Sequence, residues 1–110
     1  MVYKLELHDL SKKENLWSIN VVPKFKEQLS KVGRSDPDGK RYKVDISITQ
    51  GNKKPTKDID NYGKRIIDSI TYTKQMWYDD EQIDELLIKR EFDEKSQNSK
   101  VDIEIEDISN

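Results

Sequence analysis

The chain has no cysteine, which excludes a disulfide framework and a thiolate zinc site. It has one histidine, His8, placed at the end of a predicted strand, where a structural or surface role is expected rather than catalysis. No apolar run approaches the roughly 18–20 residues that a membrane span requires. The segment from Met1 to Leu10 alternates charged and apolar residues, without the basic start and apolar stretch of a secretory signal. These absences predict a cytoplasmic protein with no membrane partner. Apolar residues are also scarce, 33% against 38% charged over 110 residues. That length suits one domain, 1–110, with a small core that a second copy can complete.

An excess of positive charge is lacking too, since the formal net charge is −2. The charge is divided unevenly, however. Residues 1–39 carry 7 Lys and Arg against 6 Asp and Glu, residues 40–74 carry 9 against 4, and residues 75–110 carry 4 against 12. A phosphate backbone senses the local field and not the sum, so the basic middle keeps nucleic acid open as a partner.

Alternation of apolar and polar residues predicts strands at Val2 to Leu7 and from Val44 to Thr49. Phe25, Leu29 and Val32 recur at helical spacing. With Asn20 as a cap, Pro23 in the first turn and Gly33 as the stop, they predict a helix from about Val21 to Val32. Arg34 to Lys40 is a loop whose Pro37-Asp38-Gly39 suits a tight reversal. Ile59, Tyr62, Gly63, Ile66, Ile67 and Ile70 share one side of a second helix, about Asp60 to Ile70. The apolar segment Ile83 to Phe92 and the alternating Val101, Ile103 and Ile105 are expected to pair as an antiparallel hairpin across a polar loop. The order strand, helix, strand, helix, strand, strand gives an α+β fold, a small mixed sheet with two helices packed on it.

The chemistry concentrates between Lys57 and Ile83. Asp58 and Asp60 are two residues apart where an extended segment enters a helix, and Asp60, Lys64 and Asp68 then form one stripe at i, i+4 and i+8. That stripe lies beside the isoleucine stripe, at the rim of a cleft, and the Asp79-Asp80 turn can fold back towards it. Carboxylates without His or Cys suit a hard cation such as magnesium. Each piece also has a plain structural explanation: Asp before a helix caps it, and Lys64 can pair with Asp60 on a solvated face. Their co-occurrence in order shifts the balance.

That ordered set, Asp58-Ile59-Asp60-Asn61, Lys64 four residues on, Asp68 four beyond it, and Trp77-Tyr78-Asp79-Asp80-Glu81-Gln82, resembles the RusA family of Holliday junction resolvases, small homodimers commonly encoded by phages and prophages. The resemblance implies that Asp58, Asp60 and Asp80 bind Mg2+, with Mn2+ as a substitute, and that Lys64 is essential for cleavage. Asp80 rather than Asp79 is the third ligand if the loop before Trp77 holds one additional residue. The resemblance implies a homodimer that cuts branched DNA, the four-way junction, in recombination and repair. Basic residues from Lys40 to Lys57, with Arg65 and Lys74, form a candidate phosphate-contacting region. Trp17, Trp77, Tyr72 and Tyr78 are expected in the core or a dimer interface, with base stacking as the other use. Two rivals remain: a non-catalytic DNA-binding or interaction protein retaining the fold, and a different magnesium-dependent phosphotransfer enzyme. Incubation with four-way junction, linear duplex or nucleotide, with and without magnesium, separates them.

Overall fold

The strands are placed by their alternation. In the computed structural model, which describes residues 1–8, 17–50, 59–93 and 100–109, β1 (Val2–His8), β2 (Tyr42–Gln50), β3 (Ile83–Phe92) and β4 (Lys100–Asp107) form one sheet in the order β1-β4-β2-β3. Two helices, α1 (Trp17–Lys31) and α2 (Ile59–Thr73), complete an α+β fold. Along β2 every second residue is buried, Tyr42, Val44, Ile46, Ile48 and Gln50. Val101, Ile103 and Ile105 of β4 lie opposite Ile48, Ile46 and Val44, and Leu5 and Leu7 of β1 lie opposite Ile103 and Val101. One face of the sheet is therefore apolar, and it shares a core with Val21, Phe25 and Leu29 of α1 and Tyr62, Ile66, Ile67 and Ile70 of α2.

The expected β3–β4 hairpin does not form. β4 is antiparallel to both β1 and β2, and β3 runs parallel to β2 at the sheet's end. The reason lies in burial. β4 alternates cleanly and gains most between two neighbours, whereas β3 follows α2, and a helix of that length is the usual crossover for a parallel pair. The first helix also starts earlier than expected, at Trp17, which puts Asn20 and Pro23 inside it. Pro23 sits on the exposed side, so its ring is accommodated at the solvent face at the loss of one backbone hydrogen bond. Gly33 ends α1 as expected. With φ at 85° it lets its own N–H reach the Ser30 carbonyl (3.1 Å) and the Arg34 N–H reach Leu29 (2.8 Å), the paired bonds of a Schellman motif. Val32 lies beyond the helix and is exposed rather than buried.

Candidate active site

Three charged side chains, Lys64, Asp68 and Asp80, meet at one cleft. Lys64 and Asp68 come from α2, one turn apart on the stripe beside its buried isoleucines. Asp80 comes from the 3-10 turn Asp80–Gln82, and Ile67, Leu86 and Ile88 form the apolar wall of a cleft of about 310 Å³. Close approach of α2 to β3 makes this possible. A Cβ on Gly63 would stand 2.2 Å from Ile88 Cδ1, so only glycine lets the helix lie this near the strand.

Of the predicted site residues, Lys64 and Asp80 are thus brought together. Asp60 is in the first turn of α2, four residues and about 6 Å of helix rise before Lys64. Asp58 lies outside the described residues. Among the described residues no group of three or more His, Cys, Asp or Glu is arranged to hold a metal ion. The donors present are carboxylates only, which agrees with a hard cation and excludes a thiolate or imidazole centre. Gln50 closes β2, from whose end the chain runs on towards Asp58. It is 6% exposed, and its Oε1 has no hydrogen-bond partner among the described residues.

Asp79 and Asp80 are adjacent in sequence and occupied differently. Asp79 is the N-cap of the 3-10 turn: its carboxylate accepts from the Glu81 N–H (3.4 Å), and its own N–H donates to Gln82 Oε1 (3.3 Å). A hydrogen bond shared with Asp80, then the Glu81 N–H, hold the Asp79 carboxyl below its ordinary range. The same shared hydrogen bond, followed by partial burial and the charges of Asp79 and Asp68, pushes Asp80 up. Of the two, Asp80 is the carboxyl less readily ionised, and a nearby cation would favour its charged form.

The turn is fixed by a network whose bonds the sequence reading did not anticipate. Gln82 is 6% exposed. Its Nε2 donates to the carbonyl oxygens of Asp38 (2.7 Å) and Lys40 (2.9 Å), and its Oε1 accepts from the Tyr78 N–H (2.8 Å) as well as Asp79. Arg34 donates to the carbonyls of Gln75 (2.9 Å) and Met76 (2.7 Å) and to the Asp38 carboxylate (2.9 Å). Asp38 also accepts from the Tyr42 hydroxyl (2.7 Å) and the Lys40 N–H (3.1 Å). Burial alone would raise the Asp38 pKa, but these hydrogen bonds outweigh it and leave the carboxyl below its ordinary range. Trp77 is buried against Tyr42, with its indole N–H on Thr71 Oγ1 (2.6 Å). The segment read as a simple loop is a brace for the acidic turn, and the pattern Asp-Asp-x-Gln was its only advance signal.

The remaining expectations divide. Trp77 is in the core, but Tyr72 and Tyr78 are exposed, and Tyr72 continues the Lys64-Asp68 stripe by one turn. Among the described residues, the basic region is not one surface. Arg41 is bound to Asp84 and the Glu81 carbonyl, Lys40 to Asp107, and Lys43 points to the sheet face away from the helices. Lys53, Lys54 and Lys57 lie outside the described residues, as does the side chain of Trp17. His8 is on the surface near Glu6. No described helix is long and apolar enough to cross a membrane.

A mixed sheet carrying two helices, with a lysine and carboxylates converging beside an apolar wall, defines the class: a small α+β protein with an acidic cleft suited to metal-assisted phosphate chemistry. Comparison with family models makes it specific. Residues 10–106 match the model of endodeoxyribonuclease RusA, so the chain belongs to the RusA endodeoxyribonuclease family, metal-dependent nucleases that resolve Holliday junctions. A search of curated proteins returns no match.

Proposed function

We propose that this chain is a magnesium-dependent resolvase of four-way DNA junctions acting in recombination and repair, and that the Lys64-Asp68-Asp80 cleft is its catalytic centre. The observation that supports this most directly is the division of labour in the acidic turn. Asp79 is used up as a cap, while Asp80 faces Lys64 and Asp68 across the cleft. Asp58, Asp60 and Asp80 would hold the cation, with magnesium preferred and manganese as a substitute. When bound, such an ion supplies a water of lowered pKa and positive charge for the phosphate. The chain's own part is electrostatic and positional. Lys64 carries an ammonium to the edge of the cleft, where it stabilises charge growing on phosphate oxygens. Ile67, Leu86 and Ile88 limit water on one side, which strengthens that interaction. Asp68 adds negative charge beside Asp80 and favours occupancy by the cation.

A homodimer is part of this reading, because a four-way junction offers two symmetry-related strands and each subunit supplies one cut. Asp80→Asn is expected to abolish junction cleavage while binding is unchanged or tighter, since loss of a ligand weakens the metal and relieves repulsion of phosphate. Asp79→Asn is expected to be milder, with loss of a cap as its main effect. Full activity of Asp80→Asn on a labelled four-way junction in magnesium would overturn the assignment.

A further inference from the structure

The two outer edges of the sheet are treated differently. On β1 the backbone N–H and carbonyl of Glu6 are both taken by the side-chain amide of Gln28, at 2.8 Å each. That amide acts as a short strand substitute and blunts the edge. β3, at the other end, is ten residues long and pairs only with β2 among the described residues. Near its middle, Leu86 and Leu87 are 47% and 48% exposed. A long edge with an apolar middle is a template for another strand.

The order of residues on β3 says which strand. Asp84-Glu85-Leu86-Leu87-Ile88-Lys89-Arg90 reads two acids, three apolar residues and two bases, so it complements itself when reversed. We infer that β3 pairs antiparallel with β3 of a second copy about a two-fold axis at Leu87, which joins the two sheets into one of eight strands. This rests on the homodimer proposed above and specifies its seam.

Register follows from charge and face. Leu86 and Ile88 lie across from Val44 and Ile46 on the helix side, whereas Glu85, Leu87 and Lys89 lie across from Lys43, Asp45 and Ser47 on the other. Centred on Leu87, the pairing sets Leu86 opposite Ile88 of the partner subunit on the helix side. On the other side it sets Leu87 opposite Leu87 of the partner subunit, and Glu85 opposite Lys89 of the partner subunit. Centring on Ile88 would oppose Leu86 to a guanidinium and Glu85 to Glu91 of the partner subunit. Centring on Leu86 would oppose Glu85 to a leucine. A parallel pairing in register would set like charges together along the seam. Only the Leu87 axis satisfies both charge and apolar contacts, and register is strongly set where such pairs repeat.

The consequence reaches the active site. Leu86 and Ile88 line the cleft, so the partner's apolar side chains extend its wall. A two-fold axis perpendicular to the sheet puts both clefts on one face, side by side, as two symmetric cuts require.

Sedimentation equilibrium of the parent, Glu85→Lys, Lys89→Glu and the double variant tests the seam, together with oxidative cross-linking of Leu87→Cys. The chain has no other cysteine, so a disulfide-linked dimer reports this position alone, and Lys4→Cys on the blunted edge is the control. Each single reversal brings like charges together twice per dimer and is expected to weaken association about tenfold or more. The double variant should return to within about threefold of the parent. Leu87→Cys should cross-link and Lys4→Cys should not. A dimer indifferent to both reversals and not linked through Leu87→Cys overturns the seam and leaves the homodimer standing. A parent that is monomeric at micromolar concentration, with and without four-way junction, overturns both.

Discussion

Replacing Gln82 by Ala would test whether the brace beneath the acidic turn matters to chemistry or only to folding. The substitution removes two donors and one twice-used acceptor, four hydrogen bonds of 2.7 to 3.3 Å in a residue 6% exposed. A net bond contributes about 0.5–1.5 kcal/mol, and a buried group left unmatched costs about 1–3 kcal/mol. Lys40, Tyr78 and Asp79 are exposed and regain water, so the expected loss is about 2–3 kcal/mol rather than the full sum. Domains of this size are stable by about 5–15 kcal/mol, so the variant should still fold. Urea denaturation at pH 7 measures this term. Activity should fall separately, because the turn carrying Asp80 loses its hold on the Asp38 loop, and a displacement of about 1 Å at reacting groups can cost about 10²-fold. Single-turnover cleavage of a saturated four-way junction measures that term, with metal-free junction binding as the control. Gln82→Glu sharpens the test: it keeps the size and the acceptors but turns an oxygen towards the carbonyls of Asp38 and Lys40, so it should be less stable than Gln82→Ala at neutral pH. Stability within about 0.5 kcal/mol of the parent, together with cleavage within about threefold, would refute the brace.

Lys64→Ala is expected to slow single-turnover cleavage by about 10²–10³ while junction affinity and its salt slope change by about one phosphate contact at most. A rate within threefold of the parent would remove Lys64 from the site. Gly63→Ala gains up to about 1 kcal/mol of helix propensity but drives a Cβ to 2.2 Å from Ile88 Cδ1, an overpacking that costs about 1–3 kcal/mol. Urea denaturation should show net destabilisation, relieved when Ile88→Val removes that methyl, and a more stable Gly63→Ala single variant would contradict the packing described. For Asp38, hydrogen bonds hold the folded pKa below the unfolded one. Its contribution to stability is therefore complete above about pH 4 and is lost as pH falls through the folded pKa. The stability gap between the parent and Asp38→Asn should shrink on acidification below that point, and a gap constant from pH 6 to pH 3 would show that the Arg34, Tyr42 and Lys40 contacts do not act through its charge.

The parts of the fold legible in the sequence are those in which each residue's own period decides its place. β2 and β4 alternate without interruption and are legible from that period alone. The isoleucine stripe of α2 announced both the helix and, beside it, the polar stripe of Lys64 and Asp68. What the sequence hid are relations between segments. Gln82 binds carbonyls more than forty residues away, and a side-chain amide bonded to backbone leaves no periodic trace. Tyr72 and Tyr78 look like core residues by composition, yet both are exposed: Tyr72 continues the polar stripe of α2, and it is Trp77, next to Tyr78, that packs on Tyr42. The misplaced hairpin has the same origin. Nearness in sequence favours pairing β3 with β4, but β4 buries Val101, Ile103 and Ile105 almost fully only between β1 and β2, and that leaves β3 to the end of the sheet. Three adjacent apolar residues, Leu86 to Ile88, then meet two different demands. Ile88 packs under Gly63, while Leu86 and Leu87 remain half exposed on the edge. An apolar run without alternation is the pattern of a strand covered on both faces; among the described residues the second face stays half open at Leu87, which the β3 seam proposed above would cover with Leu87 of the partner subunit.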